Sequence, residues 1–86
     1  GIYREGKHGI RHENVLLCRE SGKTEFGRFL NFETLTCCHI DTSIVVKKLL
    51  NKSEWNWVTA YNRVVYRMLK NRLAPDVAKW LKKKCR

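Results

Sequence analysis

Arg11 and Glu13 stand two residues apart in Gly9-Ile10-Arg11-His12-Glu13-Asn14, a segment that runs straight into Val15-Leu16-Leu17-Cys18. If this stretch is extended, positions i and i+2 share a face, with backbones about 6.6–7 Å apart. An arginine fork at that distance can orient a neighbouring carboxylate through two bonds. From the residues alone, the simpler reading is an ordinary same-face ion pair. The same geometry also suits an arginine that steadies a metal-binding carboxylate without touching the metal. Alternation sends His12 to the opposite face, so it reads as a packed or partly exposed histidine. His8 lies in a Gly-Lys-His-Gly turn and carries no assignable role.

The other residues with chemical potential are cysteines 18, 37, 38 and 85. Cys37 and Cys38 are adjacent and cannot easily bridge to each other, and no regular spacing points to a disulfide framework. The thiols therefore read as reduced, as in a cytoplasmic chain. A zinc site built from Cys18, Cys37, Cys38 and His39 lacks Cys-x-x-Cys spacing, and neighbouring strand residues point to opposite faces.

These side chains must be held by a small scaffold. Residues 10–19 read as a strand, apolar on both faces through Val15, Leu16 and Leu17. Residues 20–27 are polar, contain two glycines and read as a turn. Residues 29–38, with Phe29, Phe32, Thr34, Leu35 and Thr36, favour a second strand. The second half is helical. Asp41 or Thr42 caps a short helix through Leu50, with Ile44, Val45 and Leu49 as its apolar side. Ser53 is the expected N-cap of a helix of about 20 residues, or about 30 Å, running to residue 73, and Glu54 beside it favours the positive helix end. Trp57, Val58, Tyr61, Val64, Val65, Met68 and Leu69 recur at three and four, forming one stripe for a core or subunit interface. Pro75 opens a final helix whose apolar side is Val77, Trp80 and Leu81. The fold class is α+β: a strand pair followed by two or three helices.

Eighty-six residues make one domain at most, and a chain this short buries only about 60% of its extended surface. A hydrophobic share of 43% is ordinary for a globular chain. No apolar run approaches the ~18 residues of a membrane span. The formal charge of +10, from 18 basic and 8 acidic residues, raises the question of nucleic acid. Most of the basic residues are spread out, and the run Lys82-Lys83-Lys84 reads as cations at a helix C-terminus. A basic nucleic-acid module on the helix from 53 to 73, or a pure protein-interaction module, remain the alternatives. The first is disfavoured because Trp57, Val58 and Tyr61 lie on a stripe that a core would consume.

Four segments, in order, resemble one family. Gly9-Ile10-Arg11-His12-Glu13-Asn14 is similar to the Gly-Ile-Arg-x-Glu-Asn segment of Xaa-Pro aminopeptidases, enzymes of the pita-bread metallopeptidase family. Phe29-Leu30-Asn31-Phe32-Glu33-Thr34-Leu35-Thr36, followed by Ile40-Asp41, looks like the Phe-Leu-x-Phe-Glu-Thr-Leu-Thr segment of the three-domain members. Ser53-Glu54-Trp55-Asn56-Trp57 stands at a Glu-rich helix start that precedes a Trp-Leu-Asn-x-Tyr pattern; Trp57 and Tyr61 fit it, while Val58 and Thr59 depart from it. Ala78-Lys79-Trp80-Leu81 resembles the family's final Ala-x-Trp-Leu helix. His12 departs from the usual aliphatic residue.

The resemblance implies hydrolysis of the bond between an N-terminal residue and a following proline. It also implies two divalent metals, manganese or zinc, held by two aspartates, a histidine and two glutamates. Glu13 aligns with the bridging glutamate. Arg11 aligns with an arginine that supports it, and Tyr3 with the tyrosine after the other glutamate, as a supporting or substrate-facing hydroxyl. Residues 1–37 would be terminal strands of the catalytic domain, and 38–86 a helical extension that helps form a homodimer. A chain beginning just after the first glutamate would be an inactive fragment without stably bound metal. Its partners would be proline-containing peptides through the parent enzyme, with neither membrane nor nucleic acid.

Overall fold

The computed structural model describes residues 1–86, and its elements give the expected α+β class. They run β1 (Ile2–Arg4), β2 (His8–Ile10), β3 (Leu16–Thr24), β4 (Gly27–Thr34), two short 3-10 turns (Thr42–Ile44 and Lys47–Leu49), α1 (Lys52–Leu69) and α2 (Pro75–Lys84). The chain divides into two compact units, Gly1–Thr36 and Cys37–Arg86.

The first unit consists of two antiparallel hairpins. In β1–β2, Ile2 faces Ile10, Tyr3 faces Gly9 and Arg4 faces His8. Gly6 supplies the left-handed turn at φ 64. A Cβ at Gly9 would lie 3.0 Å from the Tyr3 ring, so a larger residue there would have to push the aromatic aside by a few tenths of an ångström. The residue pattern does not single out this hairpin, although the family resemblance places residues 1–37 in terminal strands.

The expected strand over 10–19 is divided. Pairing with β1 is regular up to Ile10 opposite Ile2, and residues 11–15 follow without ladder bonds. Regular pairing resumes at Leu16, after Leu35 N–H donates to Val15 O at 2.9 Å and Val15 N–H donates to Thr36 Oγ1 at 2.7 Å. The expected turn over 20–27 shrinks to Glu25-Phe26, since strand pairing continues to Thr24 opposite Gly27. The polar residues in this region fit a strand whose positions are all exposed. Ser21 is the extra residue of a bulge between Glu20 and Gly22. The ion pairs Arg19–Glu33 and Arg28–Glu20 cross between the strands. Leu16, Leu17, Phe29, Leu30 and Phe32 are all exposed, on both faces of the hairpin. β4 ends at Thr34, so Cys37 and Cys38 lie beyond the strand expected to reach residue 38.

In the second unit, Asp41 caps as expected, its Oδ1 accepting from Ser43 N–H at 3.0 Å. The single helix expected up to Leu50 is instead two 3-10 turns, because Val45 takes an extended backbone (φ −79, ψ 126). Adjacent β-branched Val45 and Val46 favour that break. α1 starts at Lys52, with Asn51 rather than Ser53 as its cap. Asn51 Oδ1 accepts from Glu54 N–H at 2.9 Å, and Glu54 Oε2 accepts from Asn51 N–H at 2.8 Å. This reciprocal capping box satisfies two orphan donors, which Ser53, two residues later and with Asn56 rather than a glutamate three residues after it, could not do. α1 stops at Leu69, not 73. Pro75 opens α2 after extended Ala74, as its fixed φ and the pre-proline constraint require.

The core is Ile40, Tyr61 and Val65, with Cys37, Val58 and Leu69 packed against it. Asn62, 1% exposed, holds the incoming chain: Ile40 N–H donates to Oδ1 at 2.8 Å and Nδ2 donates to Ile40 O at 2.9 Å. Tyr61 O–H donates to Cys38 O at 2.9 Å. The apolar stripe is therefore only half consumed. Its Val58, Tyr61, Val65 and Leu69 edge packs, whereas Trp57, Val64 and Met68 remain exposed. On α2, Leu81 is buried but Val77 and Trp80 are exposed, with His39 edge-on to Trp80 at 5.4 Å. No helix is long and apolar enough to cross a membrane.

Asn62→Ala leaves a buried N–H and C=O of Ile40 unpaired. It is expected to cost about 2–4 kcal/mol, against about 1 kcal/mol for Asn51→Ala at the exposed cap. Chemical denaturation of the two variants checks the order; equal losses would contradict the pinning role of Asn62.

Candidate functional site

Residues 11–15 bridge the two hairpins without ladder bonds, so their direction must come from side chains and from the anchor at Val15. Arg11 supplies it. Nε donates to Glu13 Oε1 at 3.1 Å and Nη2 donates to Oε2 at 2.5 Å. The sequence reading placed the pair on a regular strand; the structure keeps the shared side but takes it from this fork instead of a ladder. The guanidinium bond is the main cause that holds the Glu13 carboxyl below the usual carboxylate range. The same bond raises Arg11 further above its already high value.

More than half of each side chain remains accessible, 62% for Arg11 and 56% for Glu13. Each carboxylate oxygen accepts one bond from the fork and keeps a second lone-pair direction. An exposed, ionised, orientated carboxylate with an unused acceptor on each oxygen is a donor suited to hard cations.

Tyr3 lies on β1 across from Gly9 and makes no hydrogen bond to Arg11 or Glu13. His12 is exposed. The four cysteines are free thiols, and no group of three or more His, Cys, Asp or Glu side chains is gathered to hold a metal. The Cys18-Cys37-Cys38-His39 zinc site therefore has no structural counterpart. Val58 and Tyr61 are consumed by packing, and Trp57, half-exposed, stacks on Tyr61 at 5.4 Å and 7°. The sequence reading missed Thr36, whose hydroxyl anchors the far end of the Glu13 segment; its only signal was a β-branched polar residue at the strand end.

Residues 28–86 match the family model described as the C-terminal region of peptidase M24. The chain belongs to the peptidase M24 family. Its M24 relatives include "Xaa-Pro aminopeptidase app-1" of Caenorhabditis elegans, 37% identical over all of this chain and 15% of the relative. "Probable Xaa-Pro aminopeptidase P" of Coprinopsis cinerea is 34% identical over 96% of this chain and 14% of the relative. The crystal structure of the X-prolyl aminopeptidase from Caenorhabditis elegans, described as a cytosolic enzyme with a di-nuclear active site, superposes with a TM-score of 0.78. It is 37% identical and covers 98% of this chain and 14% of that one. The M24 chain here thus spans about one seventh of the curated relatives it matches, and those relatives carry the activity in their names to which the four sequence segments pointed.

Because the Glu13 carboxyl is held low, the pair's contribution to stability is present above the ordinary carboxylate range and is lost as pH falls through the depressed folded value. Arg11→Ala is expected to return the Glu13 midpoint upward to the ordinary range, with Arg11→Lys between the two because one of the two bonds is lost. A side-chain carboxyl NMR titration reads this; a midpoint indifferent to both substitutions would contradict the fork.

Proposed function

We propose that this chain is the C-terminal part of a metal-dependent Xaa-Pro aminopeptidase, which removes an N-terminal residue preceding proline. The whole-length likeness to the Caenorhabditis elegans enzyme carries the proposal. In this reading residues 1–37 are terminal strands of the catalytic domain and 38–86 are its helical extension. The hairpin residues exposed on both faces, Leu17 and Phe32 among them, accord with strands made for a larger sheet.

Two divalent metals, manganese or zinc, would supply an activated water and polarise the scissile carbonyl. Glu13 would be the residue of this chain that holds such a centre, as the bridging glutamate that the family resemblance implies, with acceptor directions that Arg11 leaves open. The remaining ligands would come from sequence outside these residues, since this chain gathers no further carboxylates or histidines beside Glu13. Arg11 keeps the carboxylate ionised and directed. Tyr3, seated against Gly9, presents a phenol as a supporting or substrate-facing group. The chain by itself is inactive. Exposed Trp57 and Met68 on α1 supply apolar surface for a homodimer contact of the extension. The free thiols and the cytosolic relative favour a cytoplasmic enzyme.

In the complete polypeptide, Glu13→Ala is expected to reduce bound metal below two equivalents and to abolish cleavage of Xaa-Pro peptides. Arg11→Ala is expected to lower activity or metal affinity about 10–100-fold, as for other residues that support a metal ligand. Metal analysis and peptide turnover check both. Full metal content with normal turnover in Glu13→Ala would defeat the assignment.

A further inference from the structure

We propose that the cleft between α1 and the end of α2 binds a phosphorylated small molecule whose oligophosphate is attached to an apolar ring, with a nucleoside triphosphate as the type of ligand. Arg63 and Arg67 stand four apart on α1, Lys82 lies in the last turn of α2 and Arg86 follows two residues beyond the end of that helix. All four line one cleft of about 640 Å³, within the range of small-molecule sites. No acidic residue lines it, and none of the four cations belongs to an ion pair. Val64 and buried Cys85 line the same cleft and give it an apolar floor.

Helix ends explain only part of this charge. Lys82 lies in the last turn of α2, where a cation offsets the negative end of the helix dipole. Lys84 beside it is matched by Asp41 at 3.7 Å. Arg63, however, lies more than a turn inside α1, where the dipole effect has faded. Four unpaired cations converging on one cleft repel one another until an anion enters. Three of them are arginines, whose planar forks match phosphate oxygens in pairs. Positions i and i+4 on one helix face are about 6 Å apart, so the Arg63/Arg67 row, with Lys82 and Arg86 lining the same cleft, suits a compact oligophosphate more than a single charge. The apolar floor gives a ring somewhere to lie that an inorganic anion would leave empty. The site shares no residue with Tyr3, Arg11 or Glu13.

The test is calorimetric titration of the purified protein, without added metal, at ~50 mM salt, where surface charges are least screened. The probes are ATP, inorganic triphosphate and hexaglutamate. Saturable one-to-one binding of ATP is expected, tighter than that of inorganic triphosphate and much tighter than that of hexaglutamate. Arg63→Glu/Arg67→Glu should weaken ATP at least ~10-fold, and Lys82→Glu should weaken it from the opposite helix. Lys7→Glu/Lys23→Glu changes the net charge equally and should have far less effect. These are exposed positions, and unchanged thermal unfolding verifies each variant. No saturable ATP binding, an equal loss in the Lys7/Lys23 control, or equal affinity for inorganic triphosphate or hexaglutamate would overturn the proposal.

Discussion

A carboxylate in a segment without ladder bonds has nothing in its backbone to fix its direction. Between the two hairpins that direction comes from the Arg11 fork, which takes both oxygens of Glu13. Everything proposed for the chemistry depends on this pair. The fork keeps the group ionised, sets its orientation and leaves an acceptor direction on each oxygen. The hairpins on either side serve the pair: β2 ends just before Arg11, and Val15, tied to Thr36 and Leu35, restarts the pairing just after Glu13.

The helical unit depends on a different constraint. Segment 37–40 has no regular structure of its own, and a buried backbone must still satisfy its polar groups. Asn62 meets this need with one side chain that both donates and accepts, and Tyr61 adds a bond to Cys38 one residue away on the same helix. The apolar contacts among Ile40, Tyr61 and Val65 then form around a chain already fixed in register. With so small a core, two polar residues decide which part of the α1 stripe is inside.

What could be read in advance was local chemistry. Pro75 at the first turn of a helix, Asp41 as a cap and the period of three and four in α1 each follow from a few neighbouring residues. The same-side placement of Arg11 and Glu13 needed only an extended backbone. What could not be read was set by pairing partners. The strand expected over 10–19 pairs in two places, His8–Ile10 with β1 and Leu16–Thr24 with β4, and which strands it would meet is not written in its own residues. Polar 20–24 looked like a turn but pairs with β4, and only the Glu25-Phe26 connection is a turn. Periodicity located the stripe on α1; which of its edges segment 37–40 would cover was not in the period. Asn51 and Ser53 are both good caps, and the choice fell to Asn51 because Glu54 lies three residues after it.

Coordinates of the complete polypeptide crystallised with manganese would test the role of Glu13 most directly. The expected result places the Glu13 carboxylate among the ligands of the bound metal, with both Arg11 bonds kept. A Glu13 carboxylate turned away from the ions, or released by Arg11 with the metals fully bound by other residues, would contradict it.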